Sequence, residues 1–133
     1  MTGLRFDDMT HDFRGNRGAK NIDYWPWIWK EFKQQRYKTM FQSDFPLLDP
    51  FQFRLLGFRD QPTDIDGRTF YSMIRKLRLF EGAKFPQGLC IKGRPRHIAF
   101  LEFIHEFLHA YGDLPKFTYS DSLMPTHNDP TLV

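Results

Sequence analysis

Arg94-Pro95-Arg96-His97-Ile98-Ala99-Phe100-Leu101-Glu102-Phe103-Ile104-His105-Glu106-Phe107-Leu108-His109-Ala110-Tyr111-Gly112 is the longest helix signal in the chain. Pro95 suits a first helical position, where its missing N–H is no loss, and Gly112 supplies the left-handed residue that closes a helix. Leu101, Ile104, Leu108 and Tyr111 recur at helical spacing, and on a wheel of about 100° per residue Phe100 and Phe107 join them. That side is expected to face inward. Behind Leu114-Pro115, the β-prone run Phe117-Thr118-Tyr119 reads as a strand. Helix, short loop and strand form one unit, whose far end leads into the polar turn Thr126-His127-Asn128-Asp129.

Within the helix, His105-Glu106-Phe107-Leu108-His109 fits the H-E-x-x-H spacing, which sets two imidazoles on one helical face around zinc with a glutamate as base. The wheel puts both histidines opposite the apolar side, beside Glu102 and Glu106, where Glu102 and His105 make an ordinary surface pair. The extended motif wants a third ligand three residues after Gly112, and Pro115 stands there. Asp113, His127 and Asp129 would need a less usual geometry. A zinc metallopeptidase on His105, Glu106 and His109 is therefore an alternative reading.

The 133 residues make 16.0 kDa, one domain's worth, with a moderate core. Fifteen Phe and three Trp mean that aromatics dominate the burial. Nineteen basic and sixteen acidic residues are interspersed, so the net +3 is a mild imbalance and no nucleic-acid partner is expected. No stretch has the length and apolar content of a membrane span, and the first residues lack the apolar core of a signal peptide. Cys90 is the single cysteine, which excludes an internal disulfide. The simplest expectation for it is a buried thiol; in an oxidising compartment its partner would lie outside this sequence.

Taken in order, residues 1–22 mix charged residues, Gly and Asn without period and read as a loose arm. Residues 23–133 are expected to form the α/β domain. Asp23 to Phe32 opens a helix with Pro26 in its first turn and Trp25, Ile28, Trp29 and Phe32 as an apolar stripe. Tyr37 to Gln42 reads as a strand, with Ser43 and Asp44 at its carboxyl end, where open α/β sheets form sites. Phe45 to Gly67 is broken by Pro46, Pro50, Gly57 and Pro62 and reads as a packed loop. Arg68 to Leu79 is a third helix, with Phe70, Met73, Ile74 and Leu77 expected inward and a basic solvated face. The stretch from Glu81 to Gly93 is turn-rich. Three helices on two strands imply an incomplete α/β layer with open edges.

In order along the chain, Trp25-Pro26-Trp27-Ile28-Trp29-Lys30-Glu31-Phe32, Tyr37-Lys38-Thr39-Met40-Phe41, Gly57-Phe58-Arg59-Asp60-Gln61-Pro62-Thr63-Asp64, Arg94-Pro95-Arg96-His97, Pro115-Lys116-Phe117 and Thr126-His127-Asn128-Asp129 resemble the DUF229 family, a sulfatase-like branch of the alkaline phosphatase superfamily. The resemblance spans about residues 24–129. It implies a segment of a three-layer α/β fold, helices packed on a few mainly parallel strands, from a hydrolase of phosphate or sulfate esters. Such enzymes use a Ser, Thr or Cys nucleophile and divalent metal. The family's nucleophile and metal ligands match nothing in this sequence, so the segment is expected to bind no cofactor and to be inactive alone. Its expected partner is the remainder of the domain, and the resemblance implies an extracellular or secretory location. Two positions carry over as substrate-binding candidates, Asp44 and His127. A non-enzymatic interaction module is the other alternative. Where the family usually has glycine before Tyr37, this chain has Arg36, and a left-handed stop there would cost about 1 kcal/mol. Ser43 stands where the family commonly has an acid, and Asn128 where Asp usually follows the histidine.

Overall fold

In a computed structural model, which describes residues 2–81 and 90–123, the fold is built on one central strand. This is β1 (Lys38–Ser43), buried from Thr39 to Ser43 on both faces, as the middle strand of a parallel sheet must be. On one side it pairs with the short strand β2 (Ile65–Asp66), Met40 opposite Ile65. On the other it pairs with β6 (Lys116–Asp121), in register from Lys38 opposite Lys116 to Ser43 opposite Asp121. All three run parallel in the order β2-β1-β6. A second, small sheet is antiparallel and consists of β3 (Phe80–Glu81), β4 (Cys90–Ile91) and β5 (Arg94–Pro95). The expected α/β class with mainly parallel strands holds. β2, β3 and β4 were hidden outside the expected strands, because two-residue strands carry no periodicity. Pro95, expected at the first helical position, instead lies in β5 and caps the helix that starts at Arg96.

One face of β1 meets an aromatic core. The helix expected from Asp23 starts only at Ile28 (α2, Ile28–Gln34), because the residue before a proline is pushed out of the helical region and Trp25 stays extended. Trp25, Trp27 and Trp29 are all buried as a result. Trp27 stacks on Trp25 at 5.5 Å and on Trp29 at 4.6 Å. Phe41 from β1 stacks on Trp29 at 5.8 Å, and Phe51 meets Trp27 edge-on at 4.9 Å. Phe51 belongs to α3 (Pro50–Phe53), a single turn capped by the Asp49 carboxylate.

The amino-terminal residues are fastened to this core and do not form the loose arm expected for 1–22. After α1 (Phe6–Met9) and a 3₁₀ turn (Thr10–Asp12), the fully buried Asp12 accepts the Trp25 indole N–H (2.9 Å), the Lys20 N–H (3.2 Å) and the Tyr24 hydroxyl. Arg14 donates to the carbonyls of Gln52 and Leu55. Composition hid this, since one buried carboxylate organises a segment that is otherwise polar.

α2 closes with the pattern expected of a left-handed stop. Arg36 has φ +64°, its N–H donates to the Lys33 carbonyl, and Tyr37 N–H reaches back to Phe32. The rings of Phe32 and Tyr37 meet at 5.0 Å across the stop. Replacing Arg36 with glycine removes the Cβ clash and is expected to stabilise the chain by about 1 kcal/mol. The check is a rise in denaturant midpoint at constant m-value; an unchanged or lower midpoint would contradict it.

The other face of the sheet carries α4 (Arg68–Lys76) and α5 (Arg96–Ala110). α5 ends as read, with Gly112 at φ +46°. Both inward faces differ from the wheel expectation. α5 buries Arg96, Phe100 and Phe107, while Leu101 and Leu108 are 58% and 45% exposed. α4 buries Arg68, Tyr71 and Ile74, while Phe70, Met73 and Leu77 are exposed. The long side chains of Arg68 and Arg96 take core positions because buried acids and rings wait for them, and this rotates each helix away from its aliphatic stripe. Gly67, between β2 and α4, allows close packing, since a Cβ there would sit 2.9 Å from Gln42 Cγ and 3.0 Å from Phe103. Among the described residues no helix is long and apolar enough to cross a membrane.

Candidate functional site

Because β1 and β6 run parallel and in register, their carboxyl ends lie side by side. Asp44 follows β1 and is buried. Its N–H donates to the Asp121 carbonyl (3.2 Å), and its carboxylate accepts the Ser122 hydroxyl (3.0 Å) and the Leu123 N–H (2.9 Å). Arg96, at the start of α5, donates to the Asp44 carbonyl and lies over the rings of Phe45 (5.7 Å) and Tyr71 (5.5 Å). Burial pushes the Asp121 carboxyl up, and the neighbouring Asp44 adds to the effect. Burial raises the Tyr71 phenol, with Asp44 acting in the same direction and Arg96 against it. The Arg96 guanidinium is lowered by burial, which Asp44 and Tyr71 oppose. The strand ends thus bring the buried Asp44 and Arg96 beside the half-buried Asp121 carboxylate.

A second buried group adjoins it beneath the sheet. Arg68 binds Asp66 through two bonds (2.8 and 2.6 Å), stands 3.8 Å from Asp49, and covers the Phe41 ring at 4.3 Å. Asp49 accepts the N–H groups of Phe51 (2.8 Å) and Gln52 (2.9 Å). Burial raises its carboxyl to about 6 against the pull of Arg68 and those two N–H groups, and Asp121 adds to the rise.

Asp44, read as a candidate, does stand at the carboxyl edge, but its carboxylate binds the residues that leave β6. His127 lies outside the described residues. Arg96, Asp121, Asp49 and Arg68 were not singled out from the sequence. The available signal was phase: Arg96 stands four and eleven residues before Phe100 and Phe107, and Arg68 three and six before Tyr71 and Ile74.

The rings of His105 and His109 lie 4.3 Å apart, tilted by 46°, on an exposed stretch of α5, and Glu106 is exposed 3.9 Å from His105. Among the described residues no group of three or more His, Cys, Asp or Glu is placed to hold a metal. Cys90, expected to be a buried thiol, is half-exposed on β4. The Gly57–Asp64 run has a fastening role. Asp23 accepts the N–H groups of Arg59 and Asp60 (2.9 Å each), and Asp64 accepts the N–H and hydroxyl of Thr39 (2.9 Å each) and pairs with Lys33 (3.1 Å). Burial works against the charge on Asp64, yet these bonds hold its carboxyl below the usual range.

The family described as a protein of unknown function, DUF229, matches residues 1–133. The chain belongs to the DUF229 family. No curated protein and no solved structure matches it. In this DUF229 chain four of the runs that carry the resemblance converge physically. The Trp run supplies the aromatic core, Tyr37–Phe41 the central strand, Gly57–Asp64 the loop pinned to both, and Arg94–His97 the buried arginine at the strand ends.

Proposed function

We propose that these residues are a portion of a sulfatase-like hydrolase of phosphate or sulfate esters, working in an extracellular or secretory setting. The supporting observation is the junction of two neighbouring parallel strand ends, where the buried Asp44 and Arg96 adjoin the half-buried Asp121. In α/β sheets that edge is where sites assemble. In this reading Asp44 is a positioning residue that ties the exit of β6 to the end of β1. His127 is the substrate contact, since an imidazole can donate to an ester oxygen and favours a dianion leaving bulk water. The described residues do not fit the family's divalent metal, lacking any cluster of three ligating side chains.

The reading is tested in two ways. Immunoblotting with an antibody to Gly57 through Arg68 should show an endogenous polypeptide several times heavier than 16.0 kDa. The 133-residue chain should give no turnover of aryl phosphate or aryl sulfate with magnesium, calcium or zinc present. A measurable rate in the short chain that disappears with His127→Ala would overturn it.

A non-enzymatic interaction module is favoured by one observation, the exposed Met73 of α4, Leu77 just after it, and Leu101 and Leu108 of α5. A chain that binds no apolar dye would remove that support.

A further inference from the structure

Away from the strand ends, the amino-terminal segment lies over the aromatic core and leaves a cavity of about 230 Å³. Its walls include Met9, Phe13, Trp25, Trp27, Phe51 and Leu55. The polar atoms nearest to it are engaged elsewhere. The Trp25 indole N–H donates to Asp12 (2.9 Å), and the Trp27 indole N–H donates to the Ile22 carbonyl (2.7 Å). The hydroxyl of Thr2, also at the wall, accepts the Leu4 N–H (3.3 Å). What remains is ring face, ring edge and aliphatic carbon. A charged or strongly hydrogen-bonding guest would lose much of its water there and find at most the Thr2 hydroxyl as a partner.

Size and wall chemistry define the guest. An apolar cavity of about 150 Å³ takes benzene, so one of this volume has room for roughly ten non-hydrogen atoms at ordinary packing density. Four of the walls are aromatic and set at different angles, Trp25 against Trp27 nearly parallel (24°) and Phe51 against Trp27 nearly perpendicular (75°). A flat ring system can lie on one face and meet another edge-on, the two geometries that aromatic pairs prefer. We infer that this cavity is a binding site for a small, uncharged, bicyclic aromatic molecule. It is independent of the strand-end cluster and of the hydrolase reading.

The test titrates the full 133-residue chain with 1-fluoronaphthalene, followed by fluorine NMR and by the two indole N–H resonances of Trp25 and Trp27. Saturable one-site binding is expected, with Kd on the order of 10–300 µM, and both indole resonances should shift. Naphthalene-2-sulfonate, the charged counterpart, should bind at least ten-fold more weakly. Leu55→Phe and Met9→Phe, which add volume inside the cavity, should each weaken binding at least ten-fold with the thermal midpoint retained. Leu101→Phe on the exposed side of α5 should leave it within two-fold. The inference is overturned by non-saturable binding, by equal binding of the sulfonate, by unchanged affinity in the filled variants, or by unmoved indole resonances. If a filled variant does not fold, the other variant and the indole shifts of the native chain decide.

Discussion

Arg68→Met is expected to cost about 3–5 kcal/mol, the range for stripping one partner from a buried charge group. The methionine stem would still lie along Phe41 and Phe58, which the guanidinium covers at 4.3 and 5.2 Å, so the loss is not one of volume. It comes from two carboxylates left behind. Asp66 loses both of its bonds to the guanidinium, and the fully buried Asp49 loses the nearest positive charge. For a chain of this size that is a large share of total stability. Adding Asp49→Asn to Arg68→Met should recover part of the loss, because it removes one of the stranded charges and the two sites are coupled. Guanidinium unfolding of the single and double variants at pH 8 measures both effects. A cost below about 1 kcal/mol for the single variant would mean that the group is not held as a buried charge network.

The second large effect is a pH dependence centred on Asp49. Its folded pKa of about 6 stands above the usual 3.8. The folded state therefore binds this proton more readily than the unfolded state, and the stabilising contribution is complete below about pH 4. It is lost as pH rises through 6 and is absent above that. The gap between 3.8 and about 6 corresponds to roughly 3 kcal/mol. Asp49→Asn keeps an oxygen to accept the Phe51 and Gln52 N–H groups but has nothing to titrate. The difference in unfolding free energy between native chain and variant should thus move by about 2–2.5 kcal/mol between pH 4 and pH 7.5, in favour of the variant at the higher pH. Acids held below their usual range, such as Asp64, contribute the opposite slope, but they are common to both proteins and cancel. Parallel curves across that window would refute the assignment.

Both effects rest on residues that the sequence pattern did not mark. Arg68 and Arg96 stand in helices whose aliphatic residues suggested another inward face, and the wheel counted charge as outward. That rule fails where a buried carboxylate, or a carbonyl beside rings, awaits the guanidinium. Asp12 misled in the same way, since an acid in a polar stretch reads as solvent-facing until the Trp25 indole is seen to donate to it. Features that depend on a few adjacent residues were legible: the left-handed stop at Arg36, the closure at Gly112, the two long strands and the exposed placement of His105 and His109. Asp44 was legible as a position, the residue after a parallel strand, while the direction of its bonds was not.

The sequence by itself determined the α/β class, the two main strands with their helices, the helix stops, the aromatic core and, through its ordered runs, membership of DUF229. Tertiary structure alone decided which face each helix turned inward, how residues 2–22 were fastened, and which charges met at the strand ends. The physical reason is range. Backbone preferences and turns are set within about five neighbouring residues. The bond from the Leu123 N–H to the Asp44 carboxylate, 79 positions apart, exists only once parallel pairing has brought the strand ends together.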